Sequence, residues 1–315
     1  MTYVALVNQH LKTVMARQER LVAFGQNIST GSCLSGLCRG IDKLPGCTVL
    51  NTTNAENTLV GMGFGLMLKG VSSIFFMKQQ DFLLLGLDQL TNTWNALRNR
   101  ALTASFTIVA IVVDSGFEGP QSCLNNLPDF SSFSRIPGYT VGTRAEVEGI
   151  LDRHLVAPGV RILGVSQRLF RQPPPEYGTP EPLGDDGGVI AYARGEAATV
   201  VSFNLAFPEA MTVHRDLAAA GRSASLYSVA ATLPQSQDLE TILDDVARTG
   251  RLVVVDDTKS IHTPAQKFLA AARARVPSVR VAEVTRSWSW QAATPNADQL
   301  MVDSPRVLAE LGLSG

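Results

Sequence analysis

Residues 51–65 read NTTNAENTLVGMGFG, and Glu56 is the only charged side chain in the run. It stands where the chain becomes apolar and glycine-rich, and a carboxylate there has two readings. With Asn54 as the N-cap, Glu56 falls in the first turn of a helix, where a negative charge meets the positive end of the helix dipole. In a dry pocket the same group would share a proton near neutrality and do acid–base work. Gly61, Gly63 and Gly65 invite a nucleotide-loop reading, but they fall inside the helical pattern and not in a strand-to-helix turn. Small residues there are expected to let another backbone pack closely. GDDGG at 184–188 looks like a diphosphate motif, yet its proline-rich surroundings make it turn chemistry.

Two further stretches are candidates by position. The polar loop DSGFEGPQSCLNN, 114–126, follows the most apolar strand pattern and reads either as a functional loop or as plain surface. Asp256 and Asp257 close the strand pattern RLVVVDD and are expected to be solvated turn residues. No Ser-His-Asp order, paired-carboxylate spacing or HExxH is present. The four cysteines lack CxxC spacing and are expected to be reduced thiols; the four histidines have no ligand spacing, so no metal held by this chain is expected.

The elements that must position these residues follow from pattern. The 315 residues suggest two domains, and 45% hydrophobic with 17% charged content suits a well-buried α/β protein. A net charge of −1 gives no basic face for nucleic acid or an anionic membrane. FTIVAIVV, 106–113, is too short to span a bilayer and reads as a buried strand. The opening MTYVALVNQHLKTV lacks the basic-then-apolar order of a secretory leader, so a cytoplasmic location is expected. Helical patterns at 3–18, 54–69 and 81–98 alternate with strand patterns at LVAFG, TVLN, SSIFFM, FTIVAIVVD and VRILGVS. Strands without alternation, interleaved with helices, indicate a parallel sheet covered on both faces. The stretch 170–188, with five prolines and four glycines, reads as a linker between residues 1–169 and a second, smaller α/β domain at 189–315. Its strands are AATVVSF, RLVVVDD and SVRVAEV, with helices near 207–220, 238–248 and 264–275.

The order of these pieces resembles a known family. NTTNAENTLVGMGFGLMLKGVSSIFFM followed by DFLLLGLDQLTN is similar to the pyrimidine-binding region of thiamine-diphosphate enzymes. The likeness is to the beta subunit of 2-oxo acid dehydrogenase decarboxylase components and to the C-terminal half of transketolase. It covers nearly the whole chain and includes the Asp88–Gln89 pair and the block from AATVVSFN to RLVVVDD. It implies two doubly wound α/β domains, a pyrimidine-binding one and a transketolase C-terminal-like one. By the same resemblance Glu56 hydrogen-bonds a ring nitrogen of the cofactor's aminopyrimidine. That promotes the tautomer whose nitrogen takes the proton from the thiazolium carbon. Phe82 matches an aromatic that packs on the pyrimidine, and Asn54 a position flanking the cofactor.

Two family features are missing. The Gly-Asp-Gly and later asparagine that hold diphosphate and magnesium have no counterpart, since Asn204 comes too early after GDDGG. Thiamine diphosphate is therefore expected at an interface with a separate Gly-Asp-Gly…Asn subunit that holds the Mg2+, in an α2β2 assembly. The family's substrate-contacting histidine is replaced by Ser122 in Gly119-Pro120-Gln121-Ser122, and a hydroxyl does not shuttle protons as imidazole does. Gln121, Ser122 and Asn125 are the substrate-contact candidates. The implied activity is a transketolase-like ketol or acyl transfer that makes or breaks a C–C bond next to a carbonyl. Its alternatives are the beta subunit of a 2-oxo acid decarboxylase or dehydrogenase, or a non-catalytic stabilising or regulatory subunit.

Overall fold

The computed structural model describes residues 1–286, 294–296 and 298–313. The first sheet holds β1 (Leu21–Gly25), β2 (Cys47–Asn51), β3 (Ser72–Met77), β4 (Ser105–Val112), β5 (Gly138–Val141) and β6 (Gly159–Ser166) in the order β2-β1-β3-β4-β6-β5. Every pairing in it is parallel. Each residue of β4 is buried, the signature of a strand covered on both faces. On one face lie α1 (Tyr3–Met15) and α5 (Arg144–His154). The other face carries α2 (Glu56–Leu68), α3 (Trp94–Leu97) and α4 (Leu127–Ser134).

The second sheet holds β7 (Glu181–Pro182), β8 (Val189–Ala193), β9 (Ala198–Phe203), β10 (Ala224–Val229), β11 (Arg251–Asp256) and β12 (Arg280–Thr285), in the order β12-β11-β9-β10-β8-β7. Four of these strands are parallel neighbours, and β8 and β7 add an antiparallel edge. The prolines of the 170–188 stretch leave room only for that two-residue edge strand, where an N–H is dispensable. Helices α6 (Phe207–Ala219) and α9 (Ser304–Glu310) cover one face. Helices α7 (Ser236–Thr249) and α8 (Pro264–Arg275) cover the other. The chain is thus α/β with two doubly wound, mostly parallel sheets.

Three expectations need correction. The continuous helix at 81–98 is a 3₁₀ turn over Gln80–Gly86, a π turn over Gln89–Thr93 and then α3. Gly86 is pressed on α2, where a Cβ would lie 2.7 Å from Val60 Cγ2. Gly63 does not admit a backbone; its missing Cβ makes room for the Phe106 ring, 2.1 Å from where that atom would be. Asp256 and Asp257 are buried, not solvated, because backbone amides and an asparagine pair surround them.

The two halves meet through buried polar contacts. Thr140 Oγ1 donates to the Asn204 carbonyl at 2.9 Å, and the Thr140 amide to the Ala230 carbonyl at 3.0 Å. Glu146 caps its own helix through a capping box with Thr143 and also accepts from Ser228 of the second half.

Candidate active site

The strand order reverses at β1: β2 follows it on one side, and the chain then crosses to place β3 on the other. In open parallel sheets ligands bind beyond the carboxyl ends of strands at such a reversal. A cleft lies there, lined by Gln26 after β1, Thr53 and Asn54 after β2, Met77 and Lys78 around the end of β3, and by Glu56, Leu59 and Phe82. Gly25 lets β1 end against β3, since a Cβ would stand 2.2 Å from the Phe76 carbonyl oxygen. Its φ of +151° suits glycine as well.

Glu56 is the first residue of α2 and is only 7% exposed. Its carboxylate accepts no hydrogen bond from any described residue, while its neighbours Leu59, Phe75, Phe76, Met77 and Phe82 are largely apolar. Its surroundings therefore leave it available to a ligand's donor. The residue preceding the helix is Ala55, which makes no side-chain cap, so Asn54 is not the N-cap expected from the sequence. Asn54 is exposed and sits on the rim of the cleft. Phe82 is half-buried and lines the same cleft. The structure therefore brings Glu56, Phe82 and Asn54 together. The cleft itself holds only about 10 Å³, roughly one water, so this chain alone offers a wall and not an enclosure.

Gln121, Ser122 and Asn125 divide. The Asp81 carboxylate, next to Phe82, accepts from the Cys123 and Leu124 amides at 2.9 and 3.2 Å. That tie draws the 114–126 loop onto the segment after β3, where Gln79 donates to Ser122 Oγ. Gln121 is exposed beside it. Asn125 is placed apart: it is fully buried, and its amide donates to Asp257 O and Oδ2 at 2.8 Å each and accepts from Asn204. Sequence reasoning missed Gln79, Asp81, Gln26 and Lys78. Their position at the carboxyl ends of β1 and β3 was the available signal.

The loop begins at Asp114, which is buried and accepts from Ser166 Oγ at 2.6 Å and from the Arg168 amide at 3.0 Å. Burial pushes its carboxyl above the ordinary value, against the pull of Arg168. The GDDGG segment is a turn, with Gly184 and Gly187 at positive φ. Asp186 within it is engaged by the Tyr139 hydroxyl and by His154. Among the described residues no group of three or more acidic, His or Cys side chains is placed to hold a metal, and no helix is long and apolar enough to cross a membrane.

No family model matches the chain. In sequence it is similar to a pyruvate dehydrogenase E1 component subunit beta of Acholeplasma laidlawii, 25% identical over 274 residues, 85% of this chain and 83% of that one. It is 24% identical over 301 residues to a mitochondrial 2-oxoisovalerate dehydrogenase subunit beta of Chaetomium thermophilum, 92% of this chain and 63% of that one. In fold it is similar to a split-gene transketolase solved as an inactive beta4 tetramer, with a TM-score of 0.70 over 99% of this chain and 97% of that one, at 16% identity. The two likenesses carried by the ordered motifs are thus both found, the dehydrogenase beta subunits in sequence and transketolase in fold.

Proposed function

We propose that this chain, akin in sequence to dehydrogenase beta subunits and in fold to a split-gene transketolase, is the pyrimidine-binding subunit of a split thiamine-diphosphate enzyme. The observation that carries the reading is Glu56, a carboxylate buried without a protein partner at the switch-point cleft, beside the half-buried ring of Phe82. An aminopyrimidine fits that pair, offering a ring nitrogen to the carboxylate and a flat face to the phenyl ring. Bound thiamine diphosphate supplies a carbon acid that serves as electron sink for a bond next to a carbonyl. Glu56 would hold a proton at the pyrimidine nitrogen, Phe82 would pack on the ring, and Asn54 would flank it at the rim. Leu59, Phe75 and Met77 form the apolar side of the site.

The diphosphate and its Mg2+ belong to a second chain, since Asp186 of the GDDGG turn is taken up by Tyr139 and His154 and no asparagine follows at the motif's distance. The surface is consistent with such a partner. An apolar groove of about 460 Å³ runs beside the segment that carries Phe82, and Leu84, Phe133 and Ile261 are each more than half exposed there. An α2β2 assembly with a Gly-Asp-Gly…Asn subunit would cover it. The reaction we favour is ketol or acyl transfer, in a form whose proton transfers do not pass through an imidazole at position 122. The sequence relatives favour a second reading, the beta subunit of a 2-oxo acid decarboxylase.

The test is Glu56→Gln, co-expressed with the diphosphate-binding chain. Assembly should persist in size-exclusion chromatography, while exchange of the thiazolium C2 proton of bound thiamine diphosphate slows by about 100-fold or more. Exchange at the wild-type rate would remove Glu56 from the role.

A further inference from the structure

The 114–126 loop is held by both halves of the chain, and the second half supplies contacts along its whole length. Arg286, 5% exposed on its side chain at the end of β12, donates through Nη2 to the Asp114 carbonyl at 2.7 Å, where the loop begins. Asp298 Oδ1 accepts from the Phe117 amide at 2.6 Å, and the Asn296 amide donates to the Phe117 carbonyl at 2.9 Å. The Lys259 ammonium donates to the Cys123 carbonyl at 2.6 Å and pairs with Asp298 Oδ2 at 2.6 Å. The Lys259 amide also reaches the Asn125 carbonyl at 2.9 Å. Gly116 is fitted to this contact, because a Cβ there would lie 2.9 Å from both Asn296 Cα and Asp298 Oδ1. The loop is thus gripped at its start, middle and end by residues beyond position 250.

The ion pair at the middle is sheltered, with side chains 14% and 22% exposed. Burial pushes the Asp298 carboxyl up, but the Lys259 ammonium and the Phe117 amide outweigh it and hold the group below its ordinary value. Charge-assisted bonds of this kind are shorter and stronger than neutral ones. From the N-terminal half, the loop's end is pinned by Asp81 and Ser122 by Gln79.

We infer that Lys259 and Asp298 are positioning residues: the second half clamps the loop so that Gln121 and Ser122 face the reacting groups, while Glu56 acts independently of the clamp. The inference rests on the thiamine-diphosphate reading for what the loop faces, but not for the clamp itself. A misplaced loop would impair turnover without impairing activation of the cofactor, since α2 makes no hydrogen bond or ion pair with Lys259 or Asp298.

The experiment compares wild type, Lys259→Met, Lys259→Arg and Asp298→Asn as full chains with the diphosphate-binding partner. Amide hydrogen exchange is read over 114–126 and over α2, alongside C2-proton exchange of bound thiamine diphosphate and turnover of hydroxypyruvate, which is both a 2-oxo acid and a ketol donor. In K259M, loop exchange should rise about tenfold, the loss of one charge-assisted hydrogen bond, with α2 and C2 exchange unchanged. Turnover should fall by up to about 100-fold. K259R should restore most of both, and D298N, which keeps an acceptor for Phe117, should fall between. Unchanged loop exchange in K259M overturns the clamp. Faster loop exchange with undiminished turnover overturns the positioning role. Absence of C2 exchange in the wild type is instead the failure of the cofactor reading, and the loop exchange then judges the clamp alone.

Discussion

The side-chain amide of Gln79 donates to the hydroxyl of Ser122, joining the residue two past the end of β3 to a loop that follows β4. Both partners are neutral, so the contact carries no charge change between pH 5 and 8. Ser122→Ala should keep the fold and cofactor binding but lower turnover by about tenfold, the loss of one hydrogen bond near the reacting groups. Ser122→His should add a pH limb near ~6.5 to the turnover profile. The check is kcat against pH for both variants in the assembled complex, and a flat S122H profile would show that the position does not reach the reaction.

Gly63 and Gly65 stand two residues apart on α2 and should respond in opposite ways. A Cβ at Gly63 would enter the Phe106 ring, whereas one at Gly65 meets nothing within 4 Å. Gly63→Ala should destabilise by about 1–3 kcal/mol through overpacking. Gly65→Ala should stabilise by up to about 1 kcal/mol through helix propensity. Urea unfolding of the two single variants measures this, and equal effects would mean that neither side of the helix is packed as described.

How much of this was legible in the sequence depended on how local the cause was. SFTIVAIV is apolar along its whole length, so its burial between two helix layers could be read directly. GMGFG lies well inside a helical pattern, and it is helical. GYTV at 138–141 is only four residues long and was missed, because its strand character comes from pairing with β6. Asn54 looked like a cap by residue type, yet the chain enters α2 through Ala55 at ψ 56° and leaves Asn54 on the cleft rim. Asp256 and Asp257, adjacent carboxylates after a strand, resemble a solvated turn. Their partners Ala265, Asn125 and Asn204 come from distant elements that no local pattern discloses. Glu56 was found by being the one charge in an apolar run; Gln79 was missed because its partner lies 43 positions away.

Asn125 is a joint between halves, and its substitution should read as one. Removing its side chain strips a donor from Asp257 Oδ2 and an acceptor from Asn204 Nδ2, although Asn204 keeps its bond to Asp257 Oδ1 at 2.8 Å. Leaving buried groups short of partners costs about 1–3 kcal/mol. Asn125→Ala should therefore lower the unfolding free energy by that amount while KM for the carbonyl donor stays within about twofold of wild type. A large rise in KM at unchanged stability would restore Asn125 as a substrate contact.

Asp256 gives the stability curve a definite sign. Burial raises its carboxyl from 3.8 to about 6, although the Thr258 and Ala265 amides that donate to it pull the other way. A carboxyl with a raised folded pKa binds its proton more tightly in the native state than in the unfolded chain. Its contribution to stability is therefore full below the unfolded value and is lost as pH rises through the folded one. The window runs from roughly pH 4 to 6, and the change is on the order of 3 kcal/mol. In Asp256→Asn this contribution is absent, because the amide does not titrate. The difference in unfolding free energy, wild type minus variant, should fall across that window and be flat above about pH 7. Chemical denaturation of both proteins at half-unit pH steps measures that difference directly. A difference that rises with pH would mean that the Thr258 and Ala265 amides outweigh burial and that Asp256 is ionised in the folded protein throughout.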